Sequence, residues 1–342
     1  MVLVFGATGF SGTLVVQQLV ERGIPVRIAA RSQEKLEALS DRFGGLEIAL
    51  ADVAHPGTVA RAALGSELMI TTVGPYTSSG HVAAEAALSA GIPYIDITGE
   101  PGWLRRVFGE FGPRASDQGL AMLPAFGYDY VPGNLAGAIA LERAGEAAVR
   151  VDVGYFLRGK NKRNTESFSQ GTLDSLKASS KEVPYEFRDG ALADVTGAKR
   201  VLEFELDGED VTAVAIGGTE HFALPRLAPW LTDVNVGLGW FTPGGSEASI
   251  TEGAASDGPT EERRAKARTN VIAIARDGSG EALAEVRVDG PNPYDLSGVL
   301  TAWAAEQMLG GAVSGTGALG PVDAFGLEQL RAGCEEVGLT AD

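Results

Sequence analysis

Cysteine is nearly absent from this chain of 342 residues: Cys334 is the only one. One thiol cannot close an intrachain disulfide, so the fold must rest on hydrophobic cores, as in proteins of a reducing compartment. Cys334 falls at helical spacing from Leu327, Leu330 and Val337, which reads as a packed thiol rather than a nucleophile. Histidine is scarce too. His55, His81 and His221 lie far apart with no ligand spacing, so no metal site is expected. No apolar run approaches the ~20 residues of a membrane span, and there is no internal repeat or low-complexity tail. Basic residues are in deficit, 28 against 45 acidic ones, for a net charge of −17. Such a surface repels phosphate, which argues against a general nucleic-acid or anionic-membrane partner; the acidity reads as solubility. A first strand at residue 2 leaves no room for a signal peptide, and a cytoplasmic protein is expected.

What the chain does have is an early run of glycines. Met1 to Phe5 is a short apolar stretch, followed at once by Gly6-Ala7-Thr8-Gly9-Phe10-Ser11-Gly12 and then by the apolar, Gln-rich segment Thr13 to Arg22. The order reads as buried strand, tight turn and helix. A phosphate is held by backbone N–H groups at a helix N-terminus, and glycine lets the backbone approach without a Cβ in the way. Gly6, Gly9 and Gly12 are spaced by three and three, where the dinucleotide fingerprint has two and three, yet they sit between strand and helix as the fingerprint requires. The second strand, Ile24 to Ala30, ends at Arg31-Ser32. An acidic residue there would accept from the ribose 2′-hydroxyl of NAD, whereas arginine accommodates the 2′-phosphate of NADP. Arg31, with Ser32 and Lys35 beside it, therefore predicts NADP(H); Ser32 also reads as the cap of the helix carrying Leu36, Leu39 and Phe43.

Further strands follow. Leu46 to Val53 places Asp52 and Val53 near the adenine, and Glu67 to Val73 closes on Gly74-Pro75-Tyr76, a turn bordering the ligand crevice. Val73, Gly74, Pro75 and Tyr76 are thereby expected against the cofactor ribose or nicotinamide. Tyr94 to Thr98 and Leu120 to Pro124 complete six strands, each followed by a helix or turn, which predicts an α/β fold with a doubly wound parallel sheet. Past residue 125 the period changes. Val149, Val151, Val153, Tyr155 and Leu157 alternate, as do Leu202, Phe204 and Leu206, and Val234, Val236, Leu238 and Trp240; two more strands span Val271 to Ala275 and Leu283 to Val288. Alternation of this kind predicts half-exposed, largely antiparallel strands and hence a second, α+β domain. Helical patterning returns after Pro291, so the expected division is a discontinuous first domain, 1–124 with 291–342, and a second domain, 125–290. Exposed aromatic positions such as Trp230 and Trp240 offer the second domain's sheet as a homodimer contact.

Taken in order, GATGFSG (6–12), AARS (29–32), VGPY (73–76), YIDITGE (94–100) and FGYDYVPGN (126–134) resemble the saccharopine dehydrogenase-like family, which includes the trans-acting enoyl reductases. The likeness resumes in SQGTLDSL (169–176), GGTEHFALPR (217–226) and PYDLSG (293–298). The resemblance implies an NADP-binding Rossmann domain, a second α/β domain covering the nicotinamide, and hydride transfer to a C=N or C=C bond. The chain lacks an obvious set of paired arginines for a dicarboxylate, which sets it apart from the saccharopine-forming members.

Hydride transfer asks for a fixed nicotinamide face, a dry pocket and a proton donor or polarising group. Candidates at the ends of strands four to six are Tyr76, Asp96, Tyr128, Asp129 and Tyr130. Tyr76 ranks first, because a phenol gives a proton and bonds a developing anion, and Asp129 follows as orienter or base. The same side chains also read as helix caps and packing aromatics. Arg158-Gly159-Lys160-Asn161-Lys162-Arg163 sets four cations in six positions, making Arg158 and Lys160 candidates for an anionic substrate group, with His221 at the same mouth. The expected activity is NADPH-dependent reduction of a small or acyl-linked substrate. An imine-reducing amino-acid or opine-type dehydrogenase and a non-catalytic NADP sensor are the competing readings.

Overall fold

The computed structural model describes residues 1–158, 168–179, 181–196, 200–239 and 258–342. Its contacts divide into two units: Met1–Tyr128 with Tyr294–Leu319, and Asp129–Pro293 with Gly320–Asp342.

A strand buried on both faces needs a continuous apolar run, and β1 (Val2–Phe5) is buried throughout. The first unit then alternates through α1 (Phe10–Glu21), β2 (Val26–Ala30), α2 (Gln33–Arg42), β3 (Glu47–Leu50), α3 (Pro56–Ala63), β4 (Leu68–Thr71), α4 (Tyr76–Ala90) and β5 (Tyr94–Asp96). A turn of π-helix, Val107–Phe111, joins α5 (Pro101–Arg106) to α6 (Gly112–Asp117) before β6 (Ala121–Leu123). Local chemistry sets the helix ends. Ser32 accepts from the Lys35 N–H to start α2, prolines open α3 and α5, and left-handed Gly91 (φ 67°) ends α4.

The second unit begins with α7 (Val131–Ala144), β7 (Arg150–Arg158), α8 (Gln170–Ser179), β8 (Tyr185–Arg188), β9 (Ala191–Asp194), β10 (Val201–Leu206) and β11 (Glu209–Ala215). It continues with α9 (Glu220–Leu227), β12 (Asp233–Leu238), α10 (Glu261–Lys266), β13 (Arg268–Arg276) and β14 (Ala282–Gly290). The chain returns to the first unit for α11 (Pro293–Leu309) and β15 (Gly317–Ala318), then closes in the second with α12 (Pro321–Glu336) and β16 (Thr340–Ala341).

The first sheet runs β15-β6-β5-β4-β1-β2-β3 with every pair parallel. Its order reverses between β1 and β4, the place where a doubly wound sheet opens its ligand crevice. The seventh strand, β15, was not expected: two buried residues inside a Gly-rich connector are too short to show a period. Helix α11 is tied to the same unit, with Thr301 Oγ1 donating to the Phe126 carbonyl at 3.0 Å and the rings of Trp303 and Phe126 stacked at 6.3 Å.

The second sheet runs β10-β11-β12-β7-β13-β14-β16, with the β8–β9 hairpin branching from β12. Pairing is antiparallel except between β7 and β12, which are parallel. The expectation of half-exposed strands fails for β7, which is buried along most of its length. One face of this sheet is covered by α7, and on β7's other face Phe156 joins Leu202, Phe204, Ile272 and Ile274 in an apolar cluster. The placement of residues 320–342 with the first domain is also corrected. The apolar side of α12, including Val322, Leu330 and Cys334, packs on α7 and α9, and β16 pairs with β14. An amphipathic stripe demands a cover and does not say which one.

Candidate functional site

The strand ends that follow β1, β2, β3 and β4 lie on one edge of a parallel sheet, so the segments 6–12, 31–35, 52–53 and 72–76 come together there. The three glycines of the first segment have separate tasks. Gly6 adopts φ +91°, and a Cβ on it would stand 2.7 Å from Thr72 Oγ1. A Cβ on Gly12 would stand 2.2 Å from the Gly6 carbonyl, so this glycine seats α1 against the turn. Gly9 meets only that carbonyl, at 3.3 Å, and leaves the backbone open on its outer side. Thr72 Oγ1 donates to the Gly6 carbonyl at 3.1 Å and Thr13 Oγ1 to the Ala7 carbonyl at 3.2 Å, which fixes the turn from behind.

Among the described residues, the amides of Thr8, Ser11 and Gly12 have no acceptor within the chain. Helix α1 has no side-chain cap and no acidic residue in its first turn. Exposed amides at the positive end of a helix dipole suit an anion. Arg31 and Lys35 are exposed, and among the described residues neither has a carboxylate partner. Asp52 bends back on its own turn, its Oδ1 accepting from Ala54 N–H at 2.9 Å, beside Val53. This set of donors fits a dinucleotide: amides for the pyrophosphate, and Arg31 with Lys35 for a further phosphate.

The start of α4 differs. The Gly74–Pro75 peptide is cis, and buried Glu100 fills the helix end, Oε1 accepting from Tyr76 N–H at 2.8 Å and Oε2 from Thr77 N–H at 2.8 Å. A carboxylate of the chain thus occupies the place an outside anion would take. Tyr76, expected as proton donor, turns inward: its hydroxyl donates to the Thr71 carbonyl at 3.1 Å. Burial first, then the charges of Asp96 and Glu100, hold this phenol well above its usual range. Asp96 is likewise a pin, accepting from Tyr94 Oη (2.7 Å), Trp103 Nε1 (2.8 Å), Ala125 N–H (2.8 Å) and Thr98 N–H (3.0 Å). Tyr128 is buried, with its N–H donating to Ser297 Oγ at 3.0 Å.

In the second unit the chemistry gathers around Asp129 and a residue that sequence reasoning passed over, Glu220. Asp129 as a whole is half-buried, but its Oδ1 is closed to solvent and accepts no hydrogen bond. Burial pushes its carboxyl up to about 7. Glu220, at the start of α9 and fully buried, receives the Tyr155 hydroxyl on Oε1 at 2.5 Å, while its Oε2 has no partner. Burial, helped by the charge of Asp129 and opposed by the Tyr155 hydrogen bond, raises it to about 8. Asn134 Nδ2 braces the site, donating to the Tyr130 carbonyl and Thr219 Oγ1 at 2.8 Å each. Tyr155 was visible only as one more apolar alternation of β7, and Glu220 only as a letter within GGTEHF.

The described substrate-mouth candidates, Arg158 and His221, are engaged within the chain. Arg158 is ion-paired with Asp207, and Lys160 lies outside the described residues, with Asn161, Lys162 and Arg163. His221 is packed rather than presented: its ring meets Tyr185 edge-on at 5.4 Å, its Nδ1 lies 3.1 Å from the Gly218 amide, and burial lowers it to about 4. Trp230 donates Nε1 to the Ala148 carbonyl, and Trp240 is outside the described residues. Among the described residues no group of three His, Cys, Asp or Glu could hold a metal ion, and no helix is long and apolar enough to cross a membrane.

Fold and turn together define a doubly wound dinucleotide-binding unit, and residues 6–116 match a family model described as NAD(P)H-binding. A trans-acting enoyl reductase of Mycobacterium ulcerans (strain Agy99) is 31% identical over 195 residues, 55% of this chain and 47% of that protein. A trans-acting enoyl reductase of Mycobacterium tuberculosis is 35% identical over 140 residues, covering 39% and 34%, and a lipid droplet localized protein of Caenorhabditis elegans is 32% identical over 146 residues, covering 39% and 34%. The chain thus spans about half the length of the first of these curated relatives and about a third of the other two. Apo saccharopine dehydrogenase (L-Glu forming) from Saccharomyces cerevisiae shares the fold, with a TM-score of 0.63 at 14% identity over 100% of this chain and 99% of that one.

Proposed function

We propose that the protein is an NADPH-dependent reductase that delivers hydride to a C=C or C=N bond of a small or acyl-linked substrate. The observation that carries this reading is the open glycine corner: among the described residues, the amides of Thr8, Ser11 and Gly12 find no acceptor, and Arg31 and Lys35 find no acidic partner. The turn, with Gly6, Gly9, Phe10 and Gly12, takes the pyrophosphate, and Arg31, Ser32 and Lys35 take the 2′-phosphate that distinguishes NADP from NAD. Asp52 and Val53 serve the adenine, and Val73, Gly74 and Pro75 the inner ribose. The relatives named as enoyl reductases support the reaction type. When bound, the dinucleotide supplies the hydride; the chain orients it, keeps water out and provides the proton. For that proton we assign Asp129, whose Oδ1 accepts no hydrogen bond from the described residues and whose carboxyl burial raises to about 7.

The test has two stages. Fluorescence titration should show saturable NADPH binding, tighter than NADH; no saturable signal with either would end the reading. NADPH oxidation is then followed against enoyl thioesters, cyclic imines and oxo acids. Turnover with the first favours C=C reduction and with the second C=N reduction, whereas binding without turnover across the panel favours a sensor. Light scattering of the same sample tests the homodimer.

A further inference from the structure

The parallel register of β1 and β4 sets Phe5 beside Thr71, so the next residues of the two strand ends, Gly6 and Thr72, stand side by side. Thr72 N–H donates to the Phe5 carbonyl at 2.9 Å, which carries the ladder one step past β4. Its side chain then enters the glycine turn. A Cβ on Gly6 would lie 2.7 Å from Thr72 Oγ1, and one on Gly12 would lie 2.9 Å from the same atom. The first and third glycines of the turn thus leave between them the space that one hydroxyl fills. No periodicity marks Thr72, which comes just before the VGPY motif.

That hydroxyl settles the direction of a carbonyl. Thr72 Oγ1 lies 3.1 Å from the Gly6 carbonyl and 3.5 Å from the Phe5 carbonyl, and it has one proton to give. The Phe5 carbonyl already receives the Thr72 N–H, so the shorter contact takes the proton. Gly9 N–H also donates to the Gly6 carbonyl, at 2.9 Å, and the two donors use both lone pairs of that oxygen. Gly6 sits at φ +91° with no side chain to restrict it, so hydrogen bonds decide where its carbonyl points. The oxygen is lodged against Gly12, where a Cβ would stand 2.2 Å from it.

The amides of the turn divide accordingly. Gly6 N–H and Ala7 N–H both donate to the Ala29 carbonyl of β2, at 2.8 and 3.2 Å, and Gly9 N–H donates to Gly6. Among the described residues this leaves the N–H groups of Thr8, Ser11 and Gly12 as donors for an anion. A carbonyl oxygen carries partial negative charge; turned among these amides, it would take a donor and repel a phosphate. Held inside the turn, it does neither.

We infer that Thr72 is a positioning residue for the dinucleotide: its hydroxyl keeps the Gly6 carbonyl turned inward, so that the amides of the corner meet the pyrophosphate. This role rests on the coenzyme reading proposed above and divides it into two parts. Arg31 and Lys35 tell the coenzymes apart by the 2′-phosphate, whereas Thr72 serves the pyrophosphate that NADPH and NADH share.

Thr72→Val tests this role, since valine keeps the branched shape and removes the donor. Titration of the full-length protein with NADPH, NADH and ADP-ribose should show T72V weakening each by about 3- to 10-fold, the worth of one hydrogen bond, with the preference between the coenzymes unchanged. Adenosine 2′-monophosphate, which has no pyrophosphate and meets Arg31, should bind T72V as it binds wild type. T72S, which restores the hydroxyl, should bring the affinities back to within about twofold of wild type. Unchanged NADPH binding by T72V overturns the role, as does a T72S protein as weak as T72V. An equal loss for adenosine 2′-monophosphate also overturns it, because Thr72 would then support the unit in general. Should T72V fail to fold, T72A, which removes the hydroxyl without adding a methyl group, carries the same expectations. A wild-type protein that binds neither coenzyme ends the coenzyme reading and this role with it; wild-type binding that T72V leaves unchanged ends this role alone.

Discussion

Asp96 in the first unit and Asp129 and Glu220 in the second are acids with carboxyl oxygens closed to solvent, yet their surroundings differ. Asp96 accepts four hydrogen bonds, whereas Asp129 Oδ1 and Glu220 Oε2 accept none from the described residues. Desolvation raises all three carboxyls. In Asp96 the bonds from Ala125, Thr98, Trp103 and Tyr94 oppose that shift; for Asp129 nothing does. The difference separates a carboxylate that holds strand ends together from carboxyls that can carry a proton. Burial alone marks neither role; the count of donors does.

The comparison can be broken most severely at Asp96. Replacing it with alanine orphans four buried donors at about 1–3 kcal/mol each, a sum comparable to the whole stability of many domains, about 5–15 kcal/mol. Urea unfolding of D96A should show the first unit destabilised by at least about 4 kcal/mol, while D129N stays within about 1 kcal/mol of wild type. Equal losses would erase the distinction.

The next effect is on the pH dependence of stability. Burial raises the carboxyls of Asp129 and Glu220 to about 7 and about 8 in the native state, above their ordinary values of 3.8 and 4.5. The native state therefore binds more protons than the unfolded state across that window. Stability contributed by these groups is full at acid pH and falls as pH rises from about 4 through about 8, by at most about 1.4 kcal/mol per pH unit and group. Thermal melts of the D129N/E220Q double variant should lose this slope relative to wild type.

A smaller change is expected at the corner where the chain's own carboxylate is missing. Arg31→Asp should weaken NADPH binding by about 10- to 100-fold, the worth of a charged hydrogen bond of about 1.5–3 kcal/mol, and leave NADH binding nearly unchanged. An unaltered preference would remove the 2′-phosphate role. The smallest effect belongs to Tyr76. With its hydroxyl donated inward to the Thr71 carbonyl, Tyr76→Phe should cost about 1 kcal/mol of stability and leave the pH profile of turnover unmoved; a collapse of turnover would restore it as proton donor.

Much of the first unit was legible from local chemistry. MVLVF before three glycines has few conformational options, and the strand–helix alternation that follows obliges a parallel sheet. Ser32 caps α2, as its position alone suggested. Legibility ends where partners are distant in sequence. Residues Gly133, Tyr155, Gly218 and Glu220 meet through contacts spanning up to 87 positions, and no period or spacing joins them. The inward turn of Tyr76 depends on Thr71 and Glu100, the packing of His221 on Gly218 and Tyr185, and the pairing of Arg158 on Asp207.

By itself, then, the order of residues determined the βα corner, its glycines and the basic residue one strand later, because backbone sterics and hydrophobic periodicity act over a few positions. Tertiary structure alone decided which acid is saturated with donors and which is left with an oxygen that the described residues do not serve, and which unit α12 covers. Those outcomes depend on desolvation and on donors brought from other elements, quantities that exist only once the chain has packed.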